Sequence, residues 1–192
     1  MVPVWATVVS LYFFFYCFHF HLIFVSETYS LTDGIYYHAN EETLIANVST
    51  DASTTFDNDM SLTLPNKFEL TFKLKNQSIT AGARFGLIPT IRKGTNSPTY
   101  SVYGQQTTTK YVGVYRDTST HAVGSDTACT GTDYNDWKIT RDGNTFKWYF
   151  NGTQINSDVT LSWWDNYVPH CLCWQYWRSG TAYVKEILIK PL

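Results

Sequence analysis

The sequence is poor in charge, and the charge it has nearly cancels: 14 Lys and Arg stand against 16 Asp and Glu in 192 residues, for a net charge of −2. The basic surplus with which a protein neutralises phosphates is missing, which argues against nucleic acid as a partner. Cysteine is scarce. Cys17, Cys129, Cys171 and Cys173 are too few for a disulfide scaffold. Glutamate is scarce too, and none of Glu27, Glu41, Glu42, Glu69 and Glu186 belongs to a spaced pair on one strand. Glu41 and Glu42 are adjacent, so on a strand they point to opposite faces. The five histidines define no Ser, His, Asp arrangement, and no metallohydrolase or phosphate-loop pattern occurs. After Glu27 no stretch has the spacing of an amphipathic helix, and strands do not alternate with helices. Aromatic residues are plentiful instead, at 17% with 7 Trp and 14 Tyr, and 44% of the chain is hydrophobic. That is enough apolar material for one domain with a substantial core, of a composition that suits β-structure.

The N-terminal stretch is a separate object. Twenty of the residues Met1–Val25 are apolar, and no charge precedes Glu27. Such a run has the length of a bilayer-spanning helix or of a secretory signal, with Thr28, Tyr29, Ser30 the better cleavage candidate. The alternatives are a wrongly chosen start, or a larger protein in which this stretch packs as a strand. The division expected is residues 1–26 as a hydrophobic segment and 27–192 as one domain, best supported from residue 61. Membrane contact is expected only through residues 1–25, if that segment is retained.

Alternation of apolar and polar residues carries the strand reading. In Lys67–Lys75, Phe68, Leu70, Phe72 and Leu74 share one face, and Glu69, Thr71 and Lys73 share the other. Trp137 and Ile139 alternate likewise before Asp142 and Gly143, a pair suited to a tight hairpin, and Phe146, Trp148 and Phe150 line the return strand. Asn151 and Gly152 supply the next turn. Shorter β-like runs are 35–39, 84–88, 99–103, 111–115, 171–177 and 182–190. The stretch from Asn47 to Asp59 reads as a loop or linker, and a linker would leave 35–39 outside the domain. Short strands in this number, joined by hairpin chemistry, predict an all-β, antiparallel two-sheet jelly-roll sandwich. Phe68, Leu70, Phe72, Leu74, Trp137, Ile139 and Leu188 are expected between its sheets.

The strand KFELTFKLK preceded by LTLP, the central DWKITRDGNTFKWYFNG and the terminal AYVKEILIKPL resemble a concanavalin A-like lectin/glucanase domain. The resemblance covers residues 61–192. The aromatic loops further resemble lectin-like modules of phage and prophage tail and minor structural proteins. These resemblances imply a ligand site on the concave face or on the loops of one rim, and an extracellular, cell-surface or virion setting. The glucanase branch carries its carboxylates as Glu-x-Asp-x-x-Glu on one strand, and that motif is absent here. The sequence therefore predicts a protein that is not an enzyme: a carbohydrate-binding or receptor-binding module. The alternative is a structural or oligomerisation module of a virion or surface assembly, with a glycoside hydrolase third.

A sugar site needs an aromatic platform and a few fixed polar groups, and Trp163, Trp164, Asp165, Asn166 and Tyr167 supply both in one turn-forming segment. Trp174, Tyr176 and Trp177 follow on a strand, where alternation sends some to the core. Adjacent Trp163 and Trp164 are hard to bury together, so one of them is expected at the surface. The stretch from Asp117 to Asp133 reads as one long loop, a second wall for the site. With Asp126 it offers oxygen ligands of the kind Ca²⁺ takes, but Asp in such a loop more often forms turns. No metal and no cofactor is assigned. The partners expected are glycans or a cell-surface receptor, and further copies of the chain. Cys171 and Cys173 cannot pair with each other on one strand; Cys129 bonding to either, or free buried thiols, both remain consistent with the sequence. Asn47, Asn76 and Asn151 lie in acceptor triplets for glycosylation, although the Asn151–Gly152 turn already explains Asn151.

Overall fold

The computed structural model describes residues 28–32, 35–38, 43–48, 52–56, 62, 64–77, 82–89, 100–177 and 180–192; before residue 57, and at residues 125, 126 and 174–177, it describes the backbone alone. The segment 1–26, with the choice between signal, anchor, strand and start-site error, lies outside the described residues. So do the side chains of Asp126, Trp174, Tyr176 and Trp177.

The chain forms the expected antiparallel sandwich. The larger sheet has the order β1 (Thr28–Thr32), β2 (Ile35–His38), β3 (Thr43–Val48), β15 (Gly180–Pro191), β5 (Lys67–Asn76), β10 (Asn135–Asp142), β11 (Thr145–Phe150) and β12 (Thr153–Gln154), with β13 (Val159–Thr160) also on β11. The smaller sheet runs β4 (Ala52–Phe56), β14 (His170–Trp177), β6 (Gly82–Pro89), β7 (Ser101–Gln106), β8 (Lys110–Arg116) and β9 (Thr120–Ala128). The stretch from Asn47 to Asp59 is thus no linker. It contains the end of β3 and all of β4, and β2 belongs to the larger sheet rather than lying outside it.

Period-two patterning builds the core. Phe68, Leu70, Phe72 and Leu74 of β5 are buried, and Trp137 and Ile139 of β10 stand opposite Phe72 and Leu70. Trp148 and Phe150 of β11 continue the same layer. The facing sheet leaves room for the two indoles with glycines: a Cβ on Gly104 would lie 2.6 Å from the Trp137 ring, and one on Gly113 would lie 2.8 Å from that of Trp148. Both indole N–H groups donate, Trp137 to Gln106 Oε1 at 3.2 Å and Trp148 to the Tyr103 carbonyl at 2.9 Å, so neither buried donor is orphaned.

Leu188 departs from expectation. A bulge between Lys185 and Leu188, with Glu186 at φ 52°, inserts one residue into β15 and moves Leu188 opposite Thr71 on the outer face. Ile189 takes the core position instead, opposite Leu70. No disulfide joins Cys129, Cys171 and Cys173 to one another, so the bridge from Cys129 to either of the other two is not formed. Asn76 is buried and donates to the Gln106 carbonyl, and Asn151 (φ 46°) bonds Asn135 while accepting from the Asp136 N–H, so both acceptor-triplet residues are used structurally.

Candidate functional site

The segment from Leu161 to His170 joins β13 to β14 across one rim of the sandwich. A single 3₁₀ turn, Trp164–Asn166, organises it, with Trp164 N donating to the Leu161 carbonyl and Asn166 N to that of Trp163. The turn sends neighbouring indoles in different directions. Trp164 is 0% exposed, 4.9 Å from Phe146 and stacked on His170 at 3.9 Å and 10°. Trp163 remains half-buried at the surface.

Trp163 is not alone there. Tyr100, just before β7, lies 5.2 Å from Trp163 and stacks on Tyr167 at 4.3 Å, giving three half-buried rings in one cluster. Sequence reading missed Tyr100, taking it as part of a strand; no local signal joins it to residues 163–167. Asp165 and Asn166 flank the rings and are exposed. Both Asp165 oxygens accept from Arg141 Nη2, at 2.6 and 2.8 Å, while Arg141 Nε donates to the Gly143 carbonyl at 2.6 Å. The guanidinium is 1% exposed and the carboxylate 54%, so Asp165 neutralises a buried charge and still presents an edge to water.

Beneath the turn lies His170. It is 1% exposed, neither ring nitrogen forms a hydrogen bond among the described residues, and Trp164 Nε1 is likewise unpartnered. Burial, followed by the nearby Arg141 charge, pushes the His170 pKa down to about 4. The ring under the site is therefore neutral at pH 7.

Asp117 and Asp133 do not share a loop. β9 runs between them, and nine residues of strand span roughly 30 Å. Asp117 caps the turn after β8, accepting from Thr118 N at 2.7 Å and Ser119 N at 3.2 Å, with His121 Nε2 at 2.9 Å. Since Ser101 pairs with Arg116, this turn lies one step beyond that pair, level with Tyr100 and at the same rim as the aromatic cluster. Asp133 sits at the opposite rim in a loop fixed through Gly131, whose carbonyl accepts from Asn76 N and Gln106 Nε2. The sequence reading failed here because β9 contains Gly124 (φ 84°) and few large apolar residues, and so lacks a strand signature. Among the described residues no group of three or more His, Cys, Asp or Glu could hold a metal.

The outer face of the smaller sheet, which sequence reading did not resolve, carries a separate apolar layer of Ile88, Tyr103, Val112, Val114, Cys171 and Cys173. None is more than 4% exposed. Arg84 Nε donates to Gln105 Oε1 at 2.8 Å beside this layer.

No protein family and no curated protein matches the sequence. Solved structures do. A carbohydrate-binding module, CBM66 from Bacillus subtilis, is similar at a TM-score of 0.55 and 10% identity, over 85% of this chain and 94% of that one. The catalytic domain of an endo-1,3-beta-glucanase (laminarinase) from Thermotoga petrophila gives 0.53 and 10%, over 83% and 80%. The alginate lyase AlyA1 from Zobellia galactanivorans gives 0.50 and 10%, over 90% and 86%. Identity this low shows the fold alone: an antiparallel jelly-roll sandwich, shared with a carbohydrate-binding module and with polysaccharide-cleaving domains. The expectation that the chain is not an enzyme is thereby corrected. It rested on missing motifs, the two-carboxylate one above all, and a fold shared by lyases as well as a glucanase does not oblige catalysis to use any of them.

Proposed function

We propose that this domain binds a glycan at the rim formed by Tyr100, Trp163 and Tyr167, with Asp165, Asn166 and Asp117 as polar contacts. The observation that carries the reading is the three-ring cluster: three large aromatics packed on one another, half-exposed, above a turn anchored by buried Trp164 and Arg141. A pyranose presents an apolar face that stacks on such rings, and its hydroxyls need polar groups fixed close by. Asn166 has donors and an acceptor unused among the described residues, and Asp165 has lone pairs turned to water. The likeness to a carbohydrate-binding module supports glycans as the ligand class.

A site on a sandwich rim buries little of a ligand, so each site is expected to hold its sugar at about −4 to −6 kcal/mol, in the millimolar to tens-of-micromolar range. Weak single sites suit display in several copies, as on a cell surface or a virion, where effective concentration multiplies affinity. The test is a glycan array on the full chain, followed by titration of the bound sugars against Trp163→Ala and Tyr100→Ala. Folded variants that lose binding support the site. Folded variants that bind as the parent does place it elsewhere.

A further inference from the structure

We propose that the outer face of the larger sheet is a second binding surface, for an acidic glycan whose sugars carry carboxylates. It goes beyond the rim site and shares no residue with it.

Seven of the chain's nine lysines lie on this face, against the carboxylates Glu69, Asp136, Asp142, Asp158 and Glu186, so lysines outnumber acids on it in a chain whose net charge is −2. The peripheral three are each paired: Lys67 with Asp142, Lys147 with Asp158, and Lys190 with Glu69. The central four, Lys73, Lys75, Lys138 and Lys185, are not matched one to one. Lys185 stands directly opposite Lys73, a like-charge pair that costs stability unless an anion lies between. Glu186 is that anion, 2.7 Å from Lys73 and 3.6 Å from Lys185. It reaches them from the β15 bulge at φ 52°, and among the described residues Asn151 is the only other non-glycine with positive φ. A glutamate in the left-handed region costs about 1 kcal/mol, strain of the kind found at ligand sites.

Lys75 and Lys138 have no carboxylate among the described residues and rest on aromatic rings instead. Lys138 Nζ lies 4.2 Å from the Tyr149 centroid, Lys75 Nζ lies 5.0 Å from that of Tyr183, and Lys185 Nζ lies 4.4 Å from that of Tyr134. An open groove of about 310 Å³ runs between Lys73, Lys138, Asp136 and Glu186. Neighbouring strands repeat at about 4.8 Å, which sets ammonium groups and rings side by side across the sheet. An extended chain of flat rings bearing carboxylates meets both features. It would take the place that Glu186 fills, where the hydrogen bond from Lys73 holds the Glu186 carboxyl below its usual range.

The experiment titrates the full chain, at pH 7 and low ionic strength, with an oligouronate, a neutral β-glucan oligosaccharide and a single-stranded oligonucleotide of similar length. The oligouronate is expected to bind and to weaken with salt, while the other two bind far less. Lys75→Gln with Lys138→Gln should weaken it about tenfold, and Glu186→Gln, which removes the competing anion, should tighten it about threefold. Trp163→Ala should leave it unchanged, which separates this surface from the rim. Absence of oligouronate binding, an unchanged affinity in the double lysine variant, a weaker one in Glu186→Gln, or equal binding of the oligonucleotide would each overturn the proposal.

Discussion

At positions 163 and 164 the backbone gives two identical side chains different surroundings, and the energetics divide accordingly. Trp164 fills the end of the core between Phe68, Phe146 and His170, so Trp164→Ala should cost about 3–5 kcal/mol in a denaturant titration. Trp163→Ala removes a half-exposed ring and should shift the midpoint little. Asp165 combines both roles. Its loss strands the Arg141 guanidinium, which is 1% exposed, and Asp165→Asn should cost about 2 kcal/mol, less than a fully buried pair because the carboxylate is half in water. His170 adds a pH dependence. Its folded pKa of about 4 lies below the unfolded value of 6.5, so the unfolded chain binds the proton more readily, and stability falls as pH drops from about 6.5 toward 4. At pH 4.5 the loss relative to pH 7 should be about 2–3 kcal/mol from this group. His170→Phe keeps the stack on Trp164 and should remove that part of the slope in denaturant titrations at the two pH values. A slope unchanged in the variant would show that His170 is not its source.

Strands that bury one face and wet the other announce themselves, and β5, β10 and β11 were legible for that reason. Their partners were less so, because the smaller sheet answers bulky indoles with glycines, and a glycine in a sequence does not say what it makes room for. Gly104 is the sharpest case. Gly104→Ala would place a methyl 2.6 Å from the Trp137 ring, and should cost about 1–3 kcal/mol with a blue or red shift in tryptophan emission marking the displaced indole. The β15 bulge was illegible for a related reason: EILIK contains three consecutive apolar residues, and alternation alone cannot tell which of Ile187, Leu188 and Ile189 faces inward once one residue is inserted. The candidate rim was half legible. Composition pointed to residues 163–167, since adjacent indoles in a turn-forming segment cannot both be buried on a strand. It could not supply Tyr100, which arrives from another part of the chain through the pairing of β7 with its neighbours, nor could it show that β9 separates Asp117 from Asp133.

The whole molecule is closed by its last strand. β15 lies in the middle of the larger sheet, hydrogen-bonded to β3 on one side and β5 on the other, so the C-terminal residues join the first strands to the rest. Without it, β1, β2 and β3 lose their only in-sheet connection to β5 in the path of that sheet, and the backbone groups of β5 on that side lose their partners. Ala182, Val184 and Ile189 also leave the core, opening voids beside Leu70 and Leu74. These losses are not separable, because one strand carries all of them, and they are large against the 5–15 kcal/mol by which a domain is typically stable. A chain ending at residue 179 should therefore show no cooperative unfolding transition by circular dichroism or tryptophan fluorescence, whereas the full chain should show one. The same topology makes the decisive contacts long-range. Refolding of the full chain is then expected in milliseconds to seconds rather than microseconds, as for other sandwiches in which loop closure precedes the contacts that reward it. A truncated chain that still unfolds in a single sharp transition would show that the smaller sheet with β5, β10 and β11 is a sufficient folding unit, and that β15 is an addition to it.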